Sequence, residues 1–142
     1  MKTILLAIKL WSFKRFFKKY KGQNPNADQE KMFKLAERGL TQPSYGRASG
    51  VSTFIVLYAH YKQTKGLKAL VIGSRYLRAL AQDLLAEKRK FPIIAHNSDY
   101  AVSETYDILV IDQADSLSLK FREKVLAPLV KSGKVVVEID TN

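Results

Sequence analysis

The sequence predicts a three-layer α/β domain, a mainly parallel sheet with helices on both faces, and three observations carry that expectation. Short aliphatic runs alternate along the chain with amphipathic stretches of helical period. One run, Ile108-Leu109-Val110-Ile111, is apolar without a break, as a parallel strand covered on both faces must be, and it closes on Asp112. Ahead of it, the small residues of Gly46-Arg47-Ala48-Ser49-Gly50 open a helix.

Each element has its own warrant. From Leu10 to Lys21, Leu10, Phe13, Phe16, Phe17 and Tyr20 fall on one helical face and Lys14, Arg15, Lys18, Lys19 and Lys21 on the other. Gly22 and Asn24-Pro25 end this helix, which sets a basic amphipathic segment, 1–22, ahead of one domain, 23–142. Asn26-Ala27-Asp28 caps a helix over Gln29–Gly39. The stretch from Gln42 to Gly50 is a turn-rich loop, and Ser52–Tyr61 is the next helix. Leu67–Ile72 reads as a strand closed by Gly73-Ser74-Arg75, and Tyr76–Arg89 as a helix. Phe91–Ala95 is a short strand followed by a turn at His96–Asp99. After the Ile108–Ile111 strand come a helix over Leu117–Val130, interrupted near Pro128, and a last strand over Lys134–Ile139.

Composition narrows the chemistry. A chain of 142 residues fits one domain with a real core. Without cysteine it has no disulfide partners and no thiolate metal site, and His60 and His96 are too few for a zinc centre. The net charge of +11 stands out, and it favours a polyanionic partner. Residues 1–21 carry seven basic side chains and no acid, which leaves only +4 for the remainder. Three uses of that segment stay open: packing its aromatic face on the domain, contacting nucleic acid, or lying on an anionic membrane surface. It lacks a small-residue cleavage site and any run of ~20 apolar residues, so a cytoplasmic protein is expected.

Gly46–Thr53 has what a phosphate-binding loop needs, backbone amides unobstructed by side chains and a helix amino terminus behind them. The usual Gly-Lys-Ser/Thr stands here as Gly50-Val51-Ser52. Ser52, or Thr53, remains able to ligate Mg²⁺ together with Asp112, the acid at the strand end. These residues indicate a P-loop NTPase fold.

The chain also resembles a known group. Arg47-Ala48-Ser49-Gly50-Val51-Ser52-Thr53 looks like the Arg-x-x-Gly-Lys-Ser/Thr loop of viral DNA-packaging terminase large subunits. Ala69–Arg75 matches the second strand and polar exit of the first RecA-like domain in terminases and superfamily-two helicases. Asp107–Asp115 resembles the helicase Asp-Glu-Ala-Asp box with Gln113 for Glu, and Lys134–Asn142 resembles the strand leading to the coupling motif, with Thr141 as its small polar end.

The resemblance implies a RecA-like ATPase domain of viral or mobile-element origin, placed in the host cytoplasm, that handles DNA in preference to RNA. It also implies an ATP and Mg²⁺ site at Gly46, Arg47, Gly50, Val51, Ser52, Thr53, Asp112 and Gln113. Two departures weaken the activity. Val51 supplies no charge to the phosphates, and Gln113 cannot take a proton from water; each such loss commonly costs ~10²–10³ in rate. No cofactor is therefore assigned outright. The expectation is a catalytically impaired scaffold that binds nucleic acid or an assembly partner through Lys14, Arg15, Lys18, Lys19, Lys21, Arg75 and Arg78. The alternatives are an ATPase completed by a partner's residues and a membrane-surface adaptor. Arg47 swinging to phosphate, and Asp115 or Glu138 replacing the base, are the conceivable rescues. Asp115 otherwise reads as a helix cap, and His60 as a packed or surface residue.

Overall fold

The computed structural model describes residues 2–98, 105–129 and 135–141. Asp99, Val130, Lys134 and Asn142, which belong to expected elements, lie outside that set. In chain order the elements are α1 (Lys2–Lys21), α2 (Ala27–Glu37), β1 (Ser44–Tyr45), α3 (Val51–Thr64), β2 (Ala69–Gly73), α4 (Arg75–Leu85), β3 (Ile93–Ala95), β4 (Ile108–Asp112), α5 (Leu119–Phe121), α6 (Ala127–Leu129) and β5 (Val135–Thr141).

The five strands form one sheet in the order β1-β5-β4-β2-β3, and every neighbouring pair is parallel. Alternation of side chains across the pleat divides the core in two. Ala69, Val71, Ile93, Ile108, Val110, Val137 and Ile139 face the layer built by α1 to α4. Leu70, Ile72, Ile94, Leu109 and Ile111 face Leu117, Phe121, Val125, Leu126 and Leu129 on the other side. The expected α/β architecture with a covered parallel sheet is present. The carboxylate of Asp107 accepts the Lys68 backbone N–H at 2.8 Å, which ties together the amino ends of β2 and β4.

Several boundaries differ for physical reasons. The first helix starts at Lys2, well before Leu10, because the run Ile4–Leu10 is made of good helix formers with no cap to stop it. Ser44-Tyr45, expected as loop, adds an edge strand by pairing with Asp140 and Thr141. Tyr45 is buried, and its hydroxyl donates to Gln42 Oε1 at 2.7 Å. The fourth helix ends at Leu85, and Ala86–Lys88 tightens into a 3-10 turn. Near Pro128 the helix does not break. It widens into a π turn over Arg122–Leu126 that joins α5 to α6, and this accommodates a residue without an N–H.

The aromatic face of α1 is packed. Phe13 and Phe17 are fully buried; Phe13 stacks on Phe33 with ring centroids 4.5 Å apart and meets Tyr61 edge-on at 5.3 Å. Burying each such ring contributes about 1.5–3 kcal/mol. Polar contacts fasten the same junction. Glu37 accepts the Tyr58 hydroxyl and pairs with Lys62 and, at 3.8 Å, with Lys9, while Lys14 pairs with Glu30 at 3.5 Å. His60 lies between the helices; Gln63 Nε2 donates to its Nδ1 at 3.2 Å, and its Nε2–H donates to the Tyr20 hydroxyl at 3.1 Å.

Candidate functional site

Because all strands run the same way, their carboxyl ends share one edge, where open α/β sheets bind ligands. The phosphate-loop candidate and the Asp112 strand end both sit there, with β5 between β1 and β4.

The loop is held from behind by α2. Asn26 and Gln29 form a reciprocal capping box, in which the Gln29 N–H donates to Asn26 Oδ1 and the Asn26 N–H donates to Gln29 Oε1. Their remaining amide protons go to the loop, from Asn26 Nδ2 to the Ser49 carbonyl at 3.2 Å and from Gln29 Nε2 to the Gly50 carbonyl at 3.0 Å. The Ser49 hydroxyl closes the loop on the Gly46 carbonyl. Gly50 has φ +79°, and a Cβ there would sit 2.3 Å from Gln29 Nε2, so this position requires glycine twice over. The brace leaves a shallow recess of about 310 Å³ at the amino terminus of α3, lined by residues 46–53 and by Tyr76.

The side chains around the recess are unequal. Val51 is only 4 % exposed and belongs to the core, so the residue at the usual lysine position turns inward. Ser52 and Thr53 are half-buried, and Arg47 is exposed on the rim. Tyr76, from the first turn of α4, is 62 % exposed. Arg75 beside it is also exposed. Arg78 is committed elsewhere, since its Nε and Nη2 both donate to the Ile93 carbonyl, at 3.0 and 2.8 Å.

At the end of β4, Asp112 is buried, and burial pushes its carboxyl above the ordinary carboxylate value. His96 and a hydrogen bond from the Gln113 backbone oppose that push, and the neighbouring Asp140 adds to it. His96 Nε2–H donates to the Asp112 carbonyl. Gly73 closes in from β2, where a Cβ would lie 2.1 Å from Leu77 Cδ1 and 3.4 Å from Asp112 Cβ. Gln113 is exposed in the left-handed region, φ 53°, and its N–H donates to the Ile139 carbonyl at 2.8 Å. A non-glycine residue held there carries strain of ~1–2 kcal/mol.

The two suggested replacement bases take different positions. Glu138 is paired with Arg122 at 3.0 Å and shares register with Ile111, on the α5–α6 side of the sheet. Asp115 is exposed in a 3-10 turn, and its N–H donates to Asp140 Oδ1 at 3.2 Å. Asp115 is not the expected cap either, because the Ser118 hydroxyl accepts the Phe121 N–H and caps α5. Among the described residues, no three His, Cys, Asp or Glu side chains form a group able to hold a metal ion.

Of the α1 cations, Lys14 is half-buried against Glu30, while Arg15, Lys18, Lys19 and Lys21 are exposed. The residues that motif reasoning left out of the site are Tyr76, which follows the polar exit of β2, and Asp140, which lies within β5; neither belongs to a spacing pattern that would have singled it out. No family model matches the chain, and no curated protein matches it.

Proposed function

We propose that this chain is a P-loop NTPase-type domain, of the kind found as the first RecA-like domain of terminases and helicases, that binds single-stranded nucleic acid at its former nucleotide edge without efficient hydrolysis. The observation that carries the reading is the recess itself. Its backbone frame is braced by Asn26 and Gln29, yet the position that should present a lysine presents a buried valine. Around that frame stand an exposed aromatic ring, Tyr76, and two exposed guanidinium side chains, Arg47 and Arg75. Phosphate charge matches the arginines and the α3 amino terminus, and a base ring matches Tyr76. Phe13 and Phe17 of α1 are buried and so are not available for stacking. DNA is the first candidate ligand, and an assembly partner presenting phosphate-like acids is the alternative within the same scaffold role.

A second reading rests on Asp112. A buried acid kept at the end of β4 suits a domain that binds Mg²⁺-nucleotide once a partner supplies the missing lysine or glutamate. Melting curves separate the two. The scaffold reading expects an oligonucleotide to raise the melting temperature, with strong salt dependence, and Mg²⁺-ATP to leave it unchanged. A rise with Mg²⁺-ATP alone favours the partner-completed ATPase, and no rise with either ligand overturns the nucleic-acid reading.

A further inference from the structure

The outer face of α1 is not explained by anything above. A helix that only packs on a domain needs one apolar face. Here Leu6, Leu10, Phe13, Phe16, Phe17 and Tyr20 supply it. Yet Ile4, Leu5, Ile8 and Trp11 are also apolar, and they are 54–66 % exposed. At 3.6 residues per turn, Ile4, Ile8 and Trp11 fall in one stripe, and Arg15 and Lys18 continue it. The Arg15 guanidinium lies over the Trp11 ring at 4.8 Å, where the apolar half of the stripe meets the basic half. Beside Leu5 and Leu6, a recess of about 590 Å³ runs between α1 and α2, with Lys9 and Arg38 on its rim.

We infer that this outer face docks the protein flat on an anionic bilayer surface, with Ile4, Ile8 and Trp11 entering the headgroup boundary and Arg15 and Lys18 meeting lipid phosphates. Charge decides among the possible occupants. A second copy of α1 would bring seven more basic residues and no acid against the first, which disfavours helix pairing. Nucleic acid would satisfy the cations and leave the aliphatic stripe in water. An anionic membrane satisfies both halves at once, as interfacial helices do. No helix among the described residues is long and apolar enough to cross a membrane, so the contact is at the surface.

Trp11 is the only tryptophan, so its emission reports this contact directly. The full chain is titrated with vesicles of phosphatidylcholine alone and of phosphatidylcholine mixed with phosphatidylglycerol, and binding is read in parallel by vesicle flotation. A blue shift and flotation with the anionic vesicles only are expected. Ile8→Gln, at an exposed position that leaves the packed face intact, should abolish both. Arg15→Gln should weaken binding about fivefold, the loss expected for one cation near the surface. Three results overturn the proposal: no flotation on anionic vesicles, flotation unchanged by Ile8→Gln, or a concentration-dependent dimer that Ile8→Gln dissolves. DNA binding that shifts Trp11 emission while anionic vesicles do not would likewise assign the face to nucleic acid.

Discussion

Two buried titratable residues, His60 and Asp112, sit on opposite terms with their surroundings. Both ring nitrogens of His60 have partners, and aromatic rings enclose it, with Tyr20 at 5.0 Å and Phe16 at 5.3 Å. Its burial, reinforced by Lys88 and Lys19, holds it neutral by depressing its pKa. The α1–α3 junction is thus built for stability, with each polar group answered. Asp112 is buried at a strand end with a second carboxylate, Asp140, nearby and its pKa raised. Burial pushes both groups toward their neutral forms, and the difference lies in the company each keeps. His60 has side-chain partners on both nitrogens inside an aromatic cluster, whereas Asp112 has a second carboxylate beside it at the strand ends, where ligands bind in such sheets.

Breaking the junction should produce the largest effect. Phe13→Ala removes the ring at the centre of the aromatic cluster and should lower stability by about 3–5 kcal/mol in chemical denaturation, with α1 loosening first by hydrogen exchange. Tyr58→Phe leaves the Glu37 carboxylate without a hydroxyl donor and should cost about 1.5–3 kcal/mol by the same measurement. At the edge, Gly50→Ala forces a side chain into the left-handed region and against Gln29. A cost of about 1–2 kcal/mol is expected, together with loss of any ligand-induced rise in melting temperature.

The smallest effects sharpen the comparison through pH, and their signs are opposite. A depressed histidine pKa means that the stability His60 contributes is complete above the ordinary value of 6.5 and is lost as pH falls through the folded value. A raised carboxyl pKa means that the contribution of Asp112 is complete below the ordinary value of 3.8 and is lost as pH rises through the folded value. Asp112→Asn should therefore raise the melting temperature at neutral pH and leave it unchanged in strong acid. His60→Gln should flatten the acid side of the profile only. An Asp112→Asn protein less stable than the parent at neutral pH would remove the contrast.

The legibility of the molecule in its sequence follows the same divide. The strands β2 and β4 were readable because burial on both faces demands uninterrupted aliphatic residues, which leave a period-free run in the sequence. The edge strand β1 was not, since two residues carry no period and only pairing with Asp140 and Thr141 makes them a strand. At the site, the loop at 46–50 and the acid Asp112 were visible as motifs. The brace from Asn26 and Gln29 was not, because a capping box announces a helix and says nothing of a loop more than twenty residues away. Arg78 shows the limit in the other direction: an arginine at a strand exit looks free in sequence and is spent on the Ile93 carbonyl. For α1, helical period told its two faces apart only from Leu10 onward, because the run Ile4–Ile8 before it is apolar all round.

The central claim is that the edge recess holds nucleic acid through Tyr76 and Arg47 and no longer works on nucleotide. The most direct test is fluorescence anisotropy of a labelled single-stranded DNA oligonucleotide, titrated with the parent chain, Tyr76→Ala and Arg47→Gln. Both side chains are exposed, so both variants should fold as the parent does. Loss of one stacked base should weaken binding by about tenfold in Tyr76→Ala, and Arg47→Gln should weaken it and lessen the salt dependence. Affinity unchanged in both variants would contradict the account and return the carboxyl edge to an unassigned surface.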